Sequence, residues 1–186
     1  MIGYAFCGSF CTLSASLTAL RELLAEGLAV QPIMSAATYE TDTRFFSAAA
    51  LRDEVETLCG RPIIHTIVDA EPLGPKTPLD FLIIAPCTGN TLAKMAHGIT
   101  DTAVTMAAKA HMRTGRPMLL ALASNDAMSA NLQNLAALSL RKGVYFVPLA
   151  QDDPIAKPSS LVSDFSRLKE SYLAAKQGVQ LRPLFL

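Results

Sequence analysis

Short apolar runs that end in small polar loops and give way to helical periodicity constrain this chain most. Residues 1–6 form one such run, followed by Gly8-Ser9-Phe10-Cys11-Thr12 and then Leu13, Leu17, Leu20, Leu23 and Leu24 at helical spacing. Gly27 closes the helix, and residues 28–34 supply a second apolar strand suited to a sheet covered on both faces. A strand, helix and strand in that order predict a right-handed parallel crossover. The alternation continues. Strands are expected at 63–68, 79–85, 116–123 and 144–149, and helices at 45–58, 91–97, 101–113, 127–142 and 161–177, with Asp101 as the cap of the helix it precedes. Residues 71–78 hold Pro72, Pro75 and Pro78 and can continue neither regular structure. This order predicts an α/β fold, a doubly wound, Rossmann-like parallel sheet of about six strands with helices on both faces, in a single domain covering 1–186. The apolar tail, 179–186, is expected to pack on the body or on a neighbour.

At 186 residues, with 51% hydrophobic and 17% charged residues, the chain can bury most of its elements. Sixteen basic and sixteen acidic residues cancel, with no basic stripe, which argues against nucleic-acid binding. A mean hydropathy of +0.31 on a neutral chain predicts apolar surface covered by other copies, hence a homo-oligomer. No stretch approaches the roughly 20 apolar residues of a membrane span, and no signal segment is visible, so a cytoplasmic location is expected. Cys7, Cys11, Cys59 and Cys87 lack zinc-site spacing, so no metal is expected; Cys7, Cys11 and Cys87 are placed where they can line one cleft.

The loops after three strands carry the candidate site. Gly8 and Ser9 follow the first strand, Pro86 to Thr91 the strand at 79–85, and Ser124-Asn125-Asp126 the strand at 116–123. In an open sheet whose strand order reverses between the first of these strands and the second, all three loops open on one crevice. Gly8 lets backbone approach a ligand, and the hydroxyls of Ser9, Thr12, Thr88 and Thr91 beside helix N-termini suit a phosphate monoester; the same residues also serve ordinary turns and caps. Without Gly-x-Gly-x-x-Gly or a P-loop lysine, a mononucleotide fits better than a dinucleotide. Asn90 and Asn125 can each offer a donor and an acceptor to a heteroaromatic edge, or can form turns. Met128 fills core or touches a ligand, and Asp42 with Arg44 forms either a loop ion pair or an anion site. None of His65, His97 and His111 is assigned to catalysis, and His65 is read as a strand residue.

These loops resemble the flavoprotein fold family that includes the flavin-containing cysteine decarboxylases and the flavin prenyltransferases. Pro86-Cys87-Thr88-Gly89-Asn90-Thr91 is similar to the family's Pro-Ala-Ser-Ala-Asn-Thr motif, and Ser124-Asn125-Asp126-Ala127-Met128 to its Met-Asn-x-x-Met motif. The resemblance implies FMN, with its phosphate near Gly8 and Ser9 and with Thr12, Pro86, Thr88, Asn90, Thr91, Ser124, Asn125 and Met128 around it. Longer strings, including 41–45, 70–76, 85–94, 98–102 and 151–155, resemble one branch in which the chain works beside an A subunit carrying NAD(P). That likeness implies oxidation of a lysine-pathway dihydropyridine dicarboxylate in the mother cell of a sporulating bacterium; for such a substrate, Arg44 or Lys94 is expected to meet a carboxylate. The histidine that the decarboxylases use as a base has no counterpart in 68–72, and no catalytic residue is assigned. A stand-alone flavin decarboxylase or prenyltransferase, and a non-catalytic subunit that supports its partner, are the other readings.

Overall fold

The computed structural model describes residues 1–74 and 76–186, so Pro75 of the proline-punctuated loop lies outside the described residues. Strand β1 (Ile2–Phe6) leads through a 3-10 turn (Phe10–Thr12) into helix α1 (Leu13–Ala25) and strand β2 (Val30–Met34). Helices α2 (Ala36–Glu40), α3 (Ala48–Cys59) and α4 (Ile67–Ala70) precede strand β3 (Phe81–Thr88). Then come α5 (Gly89–Ala96), α6 (Ala103–Met112), β4 (Met118–Ser124) and α7 (Leu132–Ser139). The chain ends with β5 (Val144–Phe146), β6 (Leu149–Ala150), β7 (Leu161–Ser163) and α8 (Leu168–Lys176).

These seven strands form one sheet in the order β2-β1-β3-β4-β7-β6, with β5 also paired to β4. β2, β1, β3, β4 and β5 are parallel to one another, whereas β7 runs antiparallel to both β4 and β6. The order reverses at β1 and β3, which places the ligand crevice beyond their carboxyl ends.

Alternation of side chains across the pleat sends Ile2, Tyr4, Phe6, Phe81 and Ile83 to a core shared with α1, α3 and α8. Ala5, Leu82, Ile84 and Leu120 go to the opposite core, beneath α4 to α7. Burying each large aliphatic side chain contributes about 1.5–3 kcal/mol, so the two faces hold the sheet from both sides. The register between β3 and β4 shifts between Ile84 and Cys87, across the cis Ala85-Pro86 peptide. Because of that shift, Cys87 joins the same core face as Cys7 although Ile83 and Ala85 point the other way.

Several expectations need correction. The strand expected at 63–68 is reduced to one bridge between Ile64 and Ile33, because the Thr66 hydroxyl accepts from the Asp69 amide at 3.1 Å and turns the chain into α4. His65 is therefore not a strand residue; its ring stacks on Tyr39 with centroids 3.8 Å apart. The helix expected from Ala127 begins at Leu132, since the Ser129 and Asn131 amides first close turns onto the Asp126 carbonyl. Residues 144–149 split into β5 and β6, and 161–163 form β7 before α8 starts. Thr102, not Asp101, caps α6, in a reciprocal capping box with Thr105. The tail packs on the body: Phe185 bridges Leu149, and the Gln180 amide is bonded to Phe146. Among the described residues, no helix is long and apolar enough to cross a membrane.

Candidate functional site

The carboxyl ends of β1, β3 and β4 surround a cavity of about 680 Å³, within the range of small-molecule sites. Its walls include Gly8, Ser9 and Thr12 after β1, Thr88 and Asn90 at the β3–α5 junction, and Ser124 and Asn125 at the end of β4. The loops after strands 1–6, 81–88 and 118–124 therefore meet, as the topology requires. Pro86, Thr91, Met128 and Lys94 are not on the wall.

Each placement has a local cause. The Thr12 hydroxyl donates to the Ser9 carbonyl at 2.9 Å and lies 3.0 Å from Ser9 Oγ, which fixes the turn. At α5 the Thr91 amide donates to Thr88 Oγ1 at 3.2 Å, Thr88 Oγ1 donates to Thr91 Oγ1 at 3.1 Å, and Thr91 Oγ1 donates to Cys7 Sγ at 3.3 Å. Thr91 is thus buried as a strut between α5 and β1. Pro86 belongs to β3, where its carbonyl accepts from the Cys7 amide at 3.1 Å. Burial raises the Cys7 thiol to about 11 and the Cys87 thiol well above its usual range, which keeps both protonated. The cleft is consequently lined by Cys11 alone of the three cysteines expected there.

Gly8 needs no special backbone: a methyl there would meet Ala37 and Phe10 at ordinary contact distances of 3.4 and 3.5 Å. Gly89 is the demanding glycine. A Cβ on it would lie 2.7 Å from Asn131 Nδ2 and 2.9 Å from Asp126 Oδ1 and would collide with Ser124 Oγ. Asn90 and Asn125 are exposed, and neither side-chain amide has a hydrogen-bond partner among the described residues. Met128 lies outside the wall, with its amide bonded to the Ser159 carbonyl at 2.9 Å.

The charged groups fall differently from expectation. Arg44 reaches the cavity, its guanidinium 4.8 Å over the Phe45 ring, with no carboxylate partner among the described residues. The Asp42–Arg44 ion pair does not form, because Asp42 Oδ1 accepts from the Ala48 amide at 2.8 Å at the start of α3. Lys94 donates to both carboxylate oxygens of Asp101 at 2.8 Å and is turned away from the cavity. The 151–160 loop adds Asp152, Lys157 and Ser160, which sequence reasoning missed. Lys157 pairs with Asp152 at 2.6 Å and holds that carboxyl below the usual carboxylate range. Their only sequence signal is the Gln151 to Pro154 string, with nothing to show that the loop returns to β4.

Hydroxyls therefore come from all three strand ends, amides without a partner among the described residues come from two of them, and Arg44 supplies a positive charge. This donor set fits a phosphorylated heteroaromatic ligand, a flavin mononucleotide among them.

The same conclusion about class comes from likeness to known proteins. Residues 1–167 match the Flavoprotein family, and the chain belongs to that family. It is 42% identical, over 185 residues spanning 100% of this chain and 92% of the relative, to the B subunit of dipicolinate synthase of Bacillus subtilis (strain 168). The crystal structure of the dipicolinate synthase B subunit from Bacillus halodurans C superposes with a TM-score of 0.91 at 38% identity, covering 100% of this chain and 95% of that one. The fold extends to the FMN-dependent cysteine decarboxylase SpaF, at TM-score 0.67 and 24% identity over 94% of this chain and 95% of that one.

Proposed function

We propose that this chain is a B subunit of dipicolinate synthase that holds FMN in the 680 Å³ cavity and acts with an A subunit carrying NAD(P). The pair would convert a dihydrodipicolinate-type intermediate to dipicolinate in the mother cell of a sporulating bacterium. The observation that carries this reading is the full-length 42% identity to a subunit of that name, joined to a cavity whose wall residues suit a mononucleotide.

Aromatising a dihydropyridine dicarboxylate removes a hydride and a proton. A bound flavin supplies a two-electron acceptor for the hydride. The chain's own residues bind and orient: Gly8 and Ser9 would hold the phosphate, in a pocket shaped by Thr12 and Thr88, whose hydroxyl protons are donated to Ser9 and Thr91, and the Asn90 and Asn125 amides would contact the ring edge. Arg44, whose guanidinium has no carboxylate partner among the described residues, would take a substrate carboxylate in a two-point contact. Lys94 is assigned no role, since Asp101 already neutralises it. Exposed apolar side chains such as Val68, Leu140 and Ile155 support packing of further subunits, copies of this chain or the A subunit.

The test is the absorption spectrum of the purified protein, mass analysis of what denaturation releases, and titration with FMN. Yellow protein, or saturable quenching of FMN fluorescence, supports the cofactor. Colourless protein that leaves added FMN fluorescence unchanged overturns it. Turnover without the A subunit would favour a stand-alone flavin enzyme, whereas full activity of the reconstituted pair after Asn90→Ala and Ser9→Ala would favour a purely supporting subunit.

A further inference from the structure

We propose that Asp126 is the positioning residue that sets the two amide-bearing walls of the cavity against each other, and that it works only as the acceptor half of a matched pair with Asn131. This rests on the flavin reading above for its ligand and on the hydrogen-bond network for its geometry.

Asp126 sits where β4 hands the chain to α7. Ser124 Oγ donates to its Oδ1, and Asn131 Nδ2 donates to both carboxylate oxygens at 2.9 Å. Asn131 Oδ1 in turn accepts from Asn134 Nδ2 at 2.9 Å. Ser124, Asn131 and Asn134 are buried and Asp126 is half-buried at the cavity wall, so on the Asn131–Asn134 side a mismatch is shielded from solvent. The donors and acceptors alternate without conflict, and a fully satisfied buried network specifies one arrangement.

The network also reaches across the cavity. Gly89, the first residue of α5, packs so closely on Ser124, Asp126 and Asn131 that no Cβ fits between them. Asn90 follows Gly89 and Asn125 precedes Asp126, so the two free amides flank this contact, one on each wall. Their separation is therefore set by how α5 seats on the carboxylate. Asp126 also lines the cavity, but its carboxylate oxygens are engaged by Ser124 and Asn131, so it acts on a ligand by positioning the amides on either side.

The pair has a definite polarity. Asp126→Asn keeps one acceptor oxygen but replaces the other with an NH2 that faces the Asn131 NH2, and Asn131→Asp sets two carboxylates face to face. The double exchange restores the match: the amide introduced at position 126 would donate to the carboxylate introduced at position 131. That carboxylate still accepts from Asn134, while Ser124 donates to the remaining amide oxygen.

The experiment compares the full-length wild type, Asp126→Asn, Asn131→Asp and the double variant by FMN fluorescence titration, well below their thermal midpoints. Each single variant should bind about tenfold or more weakly, and the double variant should return to within about threefold of wild type. Wild-type affinity in Asp126→Asn, or a double variant no better than the singles, overturns the proposal. A thermal midpoint that falls while FMN affinity is unchanged also overturns it, since that is what a merely structural role predicts. If the wild type binds no FMN, the flavin reading fails on its own, and the network is then read by amide hydrogen exchange over 88–91. Exchange faster in the singles and restored in the double supports the positioning role; exchange unchanged in Asp126→Asn removes it.

Discussion

At the amino ends of β1, β3 and β4 the charged groups Asp80, Arg116 and the N-terminal ammonium are matched to one another, whereas at the carboxyl ends several of the strongest hydrogen-bonding groups face open space. Asp80 accepts from the N-terminal ammonium at 2.5 Å and lies 3.6 Å from Arg116, whose guanidinium also donates to the Leu79 carbonyl at 2.8 Å. The ammonium contact holds the Asp80 carboxyl below the usual carboxylate range. At the other end the Asn90 and Asn125 side chains and Arg44 have no hydrogen-bond or ion-pair partner among the described residues, although Asp126 beside them is engaged by Ser124 and Asn131. Both ends have a cavity, about 390 Å³ at the amino end and about 680 Å³ at the carboxyl end. Volume alone would not rank them by chemistry. The distinguishing property is convergence: rigid elements aim unsatisfied donors, acceptors and a cation at one space, which is the mark of a ligand site.

Four experiments bear on this contrast between the two ends. Gly89→Ala should have the largest effect, because its methyl group has nowhere to go between Ser124 and Asn131; it should cost about 1–3 kcal/mol in urea unfolding. The same variant should weaken FMN binding, and retention of both properties would refute the tight seating of α5. Next is Asn125→Ala, expected to weaken FMN binding about tenfold with an unchanged unfolding midpoint, since the exposed amide supports nothing in the protein. A lowered midpoint with normal affinity would move Asn125 from the site to the scaffold.

The third experiment concerns the amino end. His111 is buried, its Nε2 bonded to the Pro117 carbonyl at 2.9 Å while Nδ1 has no partner, and burial lowers its pKa. A histidine whose folded pKa is depressed favours the neutral form in the folded chain. Its contribution is therefore complete above the unfolded value of about 6.5 and is lost as pH falls below it, with a slope of at most about 1.4 kcal/mol per pH unit. Unfolding at successive pH values from about 7.5 to about 5 should show this fall, and His111→Gln should flatten it. An identical pH profile in the variant would assign the fall to other groups. The smallest effect is expected from Lys94→Ala, which removes a surface pair with Asp101 and should leave FMN affinity unchanged. A loss of affinity there would extend the site beyond the cavity wall.

The parts of the fold that can be read in the sequence are those with an uninterrupted period. Leu13, Leu17, Leu20 and Leu23 repeat on one helical face, and residues 81–85 form a continuous apolar run, so β1, α1, β2 and β3 are placed within a few residues. The segment 63–68 misleads because its β-branched residues suggest a strand, whereas a single hydroxyl cap at Thr66 decides for a helix. The late start of α7 is hidden because it depends on Asp126 and Asn131 pairing across five positions, a contact that helical propensity does not report. The same distinction holds for the site. Ser9, Thr88, Asn90 and Asn125 sit directly after strands and stand out as polar interruptions. Asp152 and Lys157 reach the wall only because β7 folds back antiparallel on β4, a pairing between distant segments. Lys94 looks free in the sequence, yet its partner is seven residues ahead.

The sealing of Cys7 and Cys87 in the core, with Cys59 half-buried and its thiol also raised to about 11, leaves Cys11 as the exposed cysteine, standing on the cavity wall. A thiol-directed fluorophore added to the folded protein should therefore label Cys11 fastest, on the wall of the binding space, with the half-buried Cys59 following more slowly. The molecule carries its own attachment point for a reporter of occupancy.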